Sequence, residues 1–333
     1  MAILVTGGAG YIGSHTVRWL QEAGEEVVVL DHLRTGHRKA VQHSPLIEGD
    51  IRDREELDRL FQTYSIEAVI HFAASSLVGE STQRPLDYYD NNINGTRTLL
   101  AAMADHGVDR IVFSSTAAVY GEPKRVPILE TDSTAPASPY GETKWAIEHM
   151  LGWAEQAHGI RFVCLRYFNA AGAWDRDLGE DHDPETHLVP LVLKTALGQR
   201  ETITVFGDDY PTPDGTCIRD YVHVKDLAHA HALALKRLRE GGASGIYNLG
   251  SGTGFSVRQV IEEAERVTGR TITVTSGPRR AGDPAVLIAS HERARQELGW
   301  EPTHTRLETI ISSAWEWHYH HPDGFADEKG GGK

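Results

Sequence analysis

Ala2-Ile-Leu-Val-Thr6 runs directly into Gly7-Gly-Ala-Gly-Tyr-Ile-Gly13 and then into the stretch Ser14 to Ala23, and that order decides the fold. The first five residues read as a short buried strand, and the last ten carry helical spacing of apolar side chains. Gly8, Gly10 and Gly13 satisfy G-x-G-x-x-G, while Gly7, Gly10 and Gly13 give the wider G-x-x-G-x-x-G spacing. One glycine permits the tight turn, one lets a pyrophosphate approach the backbone, and one lets helix and strand pack closely. The helix N-terminus adds free N–H groups and a positive dipole end for phosphates. A lone glycine pattern says little. Set between a predicted strand and a predicted helix, it points to a bound dinucleotide.

Outward from this loop, strands and helices alternate. The strand Glu26 to Leu30 ends at Asp31, at the distance expected of an acid that accepts from a ribose 2′-OH. A carboxylate there repels a 2′-phosphate, so NAD is favoured; Arg34 close by keeps NADP open, and a plain strand-ending turn is the bland alternative. Gly49-Asp50-Ile51 ends a further β stretch, where Asp50 could bond the adenine amino group. Ala68 to Ala74, Arg110 to Ser115 and Phe162 to Tyr167 read as parallel core strands, and Asn92 to His106 as a helix with Leu99, Leu100 and Met103 inward. The fold class is therefore α/β, a doubly wound, Rossmann-type parallel sheet, with ligands beyond the carboxyl ends of its strands.

From about residue 170 the pattern changes. Residues 173–186 are polar and acidic, and 207–216 form a Pro/Gly-rich loop. Val224 to Arg239 and Val257 to Thr268 read as helices, with short strands at 245–249 and 271–275. The expected division is a NAD-binding domain over 1–170, to which segments around 219–239 return, and a smaller α/β lobe over 171–323. A disordered tail is expected over 324–333.

Ser138-Pro-Tyr-Gly-Glu-Thr-Lys144 places Pro139 where a helix would begin and puts Tyr140 and Lys144 on one helical face. An ammonium beside a phenol stabilises the phenolate and lowers a pKa that starts at ~10, which makes a general acid–base pair. The bland alternative is an exposed helix with an ordinary Tyr and Lys; the upstream cofactor loop argues against it.

The net charge of −14 and a pI of 5.7 argue against nucleic-acid or anionic-membrane partners. Only Cys164 and Cys217 occur, so no disulfide framework is implied. There is no basic and apolar leader, and no apolar run approaches the ~20 residues of a membrane span. A cytoplasmic protein is expected.

With these elements in place, the chain resembles the extended short-chain dehydrogenases/reductases, and within them the UDP-glucose 4-epimerase family. The resemblance runs from residue 2 to about 323 and rests on an ordered set of motifs. They include Glu48-Gly-Asp-Ile-Arg52, His71-Phe-Ala-Ala74, Val78-Gly-Glu-Ser81, Pro85-Leu-Asp-Tyr-Tyr-Asp-Asn91 and Ser114-Ser-Thr-Ala-Ala-Val-Tyr-Gly121. Leu165-Arg-Tyr-Phe-Asn169, Arg219-Asp-Tyr-Val-His223 and Arg279-Arg-Ala-Gly-Asp283 follow. It implies reversible inversion at C4 of a UDP-hexose through a transient 4-keto sugar, in galactose metabolism, with NAD held tightly and recycled within each turnover. Tyr140, alone or relayed by Thr116, would take the proton of the sugar 4-OH. Lys144 would bind the nicotinamide ribose and lower the Tyr140 pKa.

The resemblance further implies cofactor contacts from Gly7, Gly10, Tyr11, Ile12 and Gly13, and from Asp31, His32, Leu33, Arg34, Thr35 and Gly36. Asp50, Ile51, Phe72, Ala73, Ala74, Asn91 and Phe168 complete that set, with Thr116, Tyr140 and Lys144. Substrate contacts fall on Thr116, Tyr140, Asn169, His187, Leu188, Phe206, Arg219, Tyr221, Arg280, Asp283 and Leu287. Arg219 and Arg280 suit a diphosphate because a guanidinium is a planar fork of donors; a solvated basic pair is the bland reading of Arg279 and Arg280. A homodimer through the helices at 92–106 and 140–157 is expected. Ala117 and Ala118 follow Thr116 where related 4,6-dehydratases carry an acidic pair, which counts against dehydration.

Three positions depart from the family pattern: Ser76 where some members have lysine, His187 in place of a substrate-contacting asparagine, and Leu287 at the position that gates room by the sugar 2-substituent. UDP-N-acetylhexosamine, UDP-glucuronate and UDP-pentose epimerases, a net NAD-linked dehydrogenase, and a dinucleotide sensor therefore remain alternatives. No metal is expected. His229 and His231 lie two apart on a helix and face different ways, Trp317-His-Tyr-His-His321 lacks a carboxylate at ligand spacing, and Glu180-Asp-His-Asp183 reads as a solvated acidic loop.

Overall fold

All five residues of β1 (Ala2–Thr6) are buried, because helices cover both faces of the sheet that it centres. The computed structural model describes residues 1–280 and 283–325. β2 (Val27–Asp31) and β3 (Leu46–Glu48) lie on one side of β1; β4 (Ile66–His71), β5 (Arg110–Thr116) and β6 (Arg161–Tyr167) lie on the other. The strand Gly245–Leu249 pairs in parallel with β6 and completes a seven-stranded sheet. Strand order reverses at β1, which pairs Val5 with Val29 of β2 and with Ile70 of β4. A crevice beyond the carboxyl ends of β1 and β4 is the consequence of that reversal.

Alternation along β1 divides the core between two layers. Ile3 and Val5 pack with Val17 and Leu20 of the helix Tyr11–Glu22 and with Leu227 and Leu235 of the helix Val224–Arg239. Leu4 packs the other way, with Leu57, Leu99, Met103, Ile147 and Leu151 from three further helices. His71 ties the carboxyl end of β4 to both neighbours: Nδ1 lies 2.6 Å from Thr6 Oγ1 and Nε2 lies 2.9 Å from Thr96 Oγ1. Burial pushes His71 down to about 3, so it bridges as a neutral ring.

The later part of the chain has its own core. Helices Leu188–Ala196, Val257–Thr268 and Leu307–His320 meet through Val192, Leu193, Val260, Ile261, Ile310 and Ile311. The strand Ile218–His223 is flanked by Asn169–Ala171 and Val286–Leu287 in parallel and by Gly254–Ser256 antiparallel.

Several boundaries differ from expectation for local reasons. The first helix begins at Tyr11 rather than Ser14, since the Ser14 amide already donates to Gly10 O at 2.9 Å. β4 stops at His71 because the amides of Phe72 and Ala73 both turn to Thr6 O. The helix expected from Asn92 is preceded by a wider turn over Tyr89–Asn94 and is regular over Gly95–Asp105. The strand expected at 271–275 is Val274–Gly277, as the Ile272 amide is held by the Glu265 side chain. At the described end of the chain Phe325 is buried, with its ring 4.6 Å from Trp317 and 5.0 Å from His37. Residues 326–333 lie outside the described residues, as do Ala281 and Gly282 within the Arg279–Asp283 motif.

Candidate active site

Gly7 has φ +70°, and a Cβ placed on it would stand 2.5 Å from the amide nitrogen of Ala73. A Cβ on Gly13 would stand 2.3 Å from Gly7 O. Both side chains must be hydrogen for the loop to fold down onto β4 and the helix. Asp31, at the end of β2, is fixed by two amides: Oδ2 accepts from Ala9 N at 3.0 Å and Oδ1 from Leu33 N at 2.9 Å. These parts open onto a cavity of about 740 Å³, large enough for a dinucleotide. The close backbone approach, the ribose-facing acid and the volume fit NAD.

The residues expected at the cofactor are placed as follows. Gly7, Gly10, Tyr11, Ile12 and Gly13 form one wall of the cavity, and Asp31, His32, Arg34, Thr35, Gly36 and Ile51 line its β2 end. Phe72, Ala73, Ala74, Asn91 and Phe168 line its middle, along with Ser76. Leu33 contributes its amide to Asp31 and packs on the core. Asp50 is held by its neighbour Arg52, which donates to it from N, Nε and Nη2 at 2.9, 3.0 and 2.6 Å. Arg34 Nη2 also leans toward that carboxylate, at 3.9 Å.

At the other end stand Thr116, Tyr140 and Lys144. Thr116 closes β5, and its Oγ1 accepts from Ala118 N. The helix Pro139–His158 starts as expected: Ser138 Oγ accepts from Gly141 N at 3.2 Å and Pro139 occupies the first turn. This places Tyr140 beside Thr116 and Lys144 under the end of β5. The electrostatics differ from the expected phenol–ammonium pair. Burial pushes Tyr140 up to about 12, against a hydrogen bond with Thr116 that lowers it. Burial likewise pushes Lys144 down to about 7, opposed by Cys164 and Glu148. Lys144 Nζ donates to Ser114 O at 2.8 Å and sits over the Phe113 ring. Desolvation is the largest cause of both shifts, and neither group is among the causes of the other's.

Asn169 and His187 also line the cavity, and Leu188 opens the helix after His187. Along the strand register Asn169 pairs with Tyr221, next to Arg219, whose own neighbour is Leu287. Here the structure brings the remaining expected residues together, but on one another. Arg219 forms an ion pair with Asp283, and the Arg280 guanidinium lies 4.2 Å from the centre of the Phe206 ring.

Two groups escaped the sequence reading. Glu148, one turn beyond Lys144, accepts from Ser115 Oγ at 2.6 Å and from Arg166 Nε and Nη2 at 2.8 and 2.5 Å, all buried. Glu148 lies i+4 from Lys144, so spacing could have put it on the same helical face, but its pairing with Arg166 joins a helix to β6 and has no signal in spacing. The second group corrects an expectation. Glu180 is not in a solvated loop: it is 4% exposed, its carbonyl accepts from Trp317 Nε1, and it lines the cavity with His182 and His187. The spacing Glu180-x-His182-x-x-Glu185-x-His187 was the available signal. His229 and His231 do diverge, toward Trp19 and Phe72 respectively.

Residues 3–250 match the model of the NAD dependent epimerase/dehydratase family. Among curated proteins, the UDP-glucose 4-epimerase of Halalkalibacterium halodurans is 59% identical over 98% of this chain and 98% of its own length. A crystal structure of a UDP-glucose 4-epimerase superposes with TM-score 0.97 at 52% identity, covering 98% of this chain and all (100%) of that one. That of the Brucella ovis UDP-glucose 4-epimerase, in complex with NAD, gives 0.92 at 49% identity over 94% and 97% of the two chains. The chain belongs to the NAD dependent epimerase/dehydratase family and stands among its UDP-glucose 4-epimerases.

Proposed function

We infer that this chain is an NAD-dependent isomerase that interconverts UDP-glucose and UDP-galactose by inverting C4 of the hexose. The observation that carries the reading is the half-buried Tyr140, which with Thr116 and Lys144 lines the cavity that begins at the glycine loop and Asp31. The near-full-length identity to named 4-epimerases supports the substrate.

NAD, when bound, supplies reversible acceptance and return of a hydride. The chain's own residues do the rest. Gly7, Gly10, Gly13 and Asp31 hold the dinucleotide. Tyr140 takes and returns the proton of the 4-OH, with Thr116 as its hydrogen-bond partner. Lys144, anchored on Ser114 O, presents a donor at the same end. Arg219 and Arg280 release Asp283 and Phe206 to take the diphosphate, and Phe206 then lies against the base. His187 replaces an amide donor beside the sugar. With Ala117 and Ala118 after Thr116, no carboxyl group stands beside it in sequence to assist loss of water.

A homodimer belongs to the same proposal, supported by Trp153, 69% exposed on the helix Pro139–His158. A cytoplasmic setting is supported by two free, buried cysteines; among the described residues, no helix is long and apolar enough to cross a membrane. The activity is tested by incubating the purified protein with UDP-galactose, without added NAD, and following products by NMR. UDP-glucose forming to equilibrium with no net NADH supports it. Net NADH, or no conversion with NAD added, would overturn it.

A further inference from the structure

We propose that Glu180, His182, Glu185 and His187 bind a divalent transition-metal ion of the zinc class. One ligand atom from each lies within 4.8 Å of the others. His182 Nδ1 stands 3.4 Å from Glu180 Oε1 and 3.5 Å from Glu185 Oε2; His187 Nδ1 stands 3.0 Å from Glu180 Oε1 and from Glu185 Oε1. Four donors about 2.0–2.1 Å from a common centre in a tetrahedron are about 3.3 Å from one another. The four histidine–carboxylate separations, which engage one or other oxygen of Glu185, bracket that value, and all four ligand atoms lie within 4.8 Å of one another.

The rival reading is a cluster of ion pairs held by protons, and one hydrogen bond of that kind is present, from His187 to Glu185 Oε1. It does not account for the rest. The Glu185 side chain is 4% exposed, yet Oε2 has no hydrogen-bond partner, and neither does the buried His182 Nδ1 only 3.5 Å away. Two buried polar atoms that face each other without an aligned proton carry a desolvation cost that a shared cation would offset. Two imidazoles with two carboxylates suit zinc and its neighbours rather than magnesium or calcium, which take oxygen.

Four protein donors close a tetrahedral shell, so this is a positioning site and not one that activates water. Glu180, His182 and His187 line the cavity, and the eight-residue run that holds all four ligands leads into the helix Leu188–Ala196. Binding would fix that segment, including His187, against Tyr11 of the glycine loop, whose ring meets His182 edge-on at 6.0 Å.

The NAD-loaded protein is stripped with chelator, given Zn²⁺, desalted and analysed by elemental mass spectrometry. Retention of about one zinc per chain is expected, with a higher melting temperature than the stripped protein. A His182→Gln/Glu185→Gln double variant should return to the stripped level, whereas His320→Gln/His321→Gln should not. Should the double variant fail to fold, His182→Cys decides: with Co²⁺ it should show a sulfur-to-cobalt charge-transfer band. No zinc retained by the wild type, undiminished retention in a folded double variant, or no such band in His182→Cys would overturn the proposal. Metal retention is read without turnover, so its failure leaves the epimerase reading untouched.

Discussion

Lys144 Nζ donates to the carbonyl oxygen of Ser114 at 2.8 Å, two residues before Thr116, and Lys144 is only 2% exposed. A side chain expected to supply charge to Tyr140 thus gives one of its three donors to the backbone of β5 in a dry environment. Burial lowers Lys144 to about 7 and raises Tyr140 to about 12. A cation beside Tyr140, such as that of bound NAD, would oppose the rise caused by burial. Adding NAD near pH 8 should produce a phenolate difference spectrum that Tyr140→Phe lacks; its appearance in that variant would assign it to another tyrosine.

The same shifts set a pH dependence of stability for the cofactor-free protein. A lysine whose folded pKa is below its unfolded value binds fewer protons when folded, so folding stability rises with pH between about 7 and the unfolded value of 10.5. Lys144→Met, neutral throughout, should be more stable than wild type below pH 7, and the gap should close as pH approaches 10. Urea titrations at several pH values check this. A constant gap would show that Lys144 is not shifted.

Tyr140→Phe removes the acid–base hydroxyl and leaves the ring. Turnover should fall by about 10²- to 10⁴-fold with nucleotide binding retained. Comparison of kcat with calorimetric affinity for UDP separates the two; wild-type-like turnover would assign the proton transfer elsewhere.

Glu148 and Arg166 form a buried pair that also holds Ser115, next to Thr116. Glu148→Gln leaves the Arg166 charge without its counter-ion, a change that costs about 3–5 kcal/mol when such a pair is truly buried. The urea midpoint should drop accordingly. A change within error would mean that Arg166 finds compensation through Tyr120, which accepts from it at 2.9 Å.

Gly13→Ala drives a methyl group to 2.3 Å from Gly7 O and should push the loop out of its phosphate-binding shape. A loss of about 1–3 kcal/mol in stability is expected, with a weaker hold on NAD. Gly24→Ala, where a Cβ meets open space but φ is +81°, is the control for backbone strain without a displaced loop.

The sheet was legible because its signals are local: apolar runs for β1, β5 and β6, glycines between strand and helix, and Ser138-Pro139 at a helix start. Those signals also placed Gly7, Asp31, Thr116, Tyr140 and Lys144 around one cavity. What escaped depends on distant chain segments meeting. Arg219 is held by Asp283 and Arg280 covers Phe206, neither of which a motif reveals. The direction of the Tyr140 and Lys144 shifts follows from burial, which spacing does not encode. Glu180 read as solvated because its neighbours are acidic; Trp317, far along the chain, is what seals it in.

The most direct test of the account uses UDP-galactose carrying deuterium at C4, incubated with the purified protein in ordinary water. If the hydrogen that leaves C4 is kept in the cavity and returned to the opposite face, NMR will show UDP-glucose with the deuterium still at C4. Loss of the label to solvent, or its appearance in NADH formed from added NAD, would contradict an internal inversion.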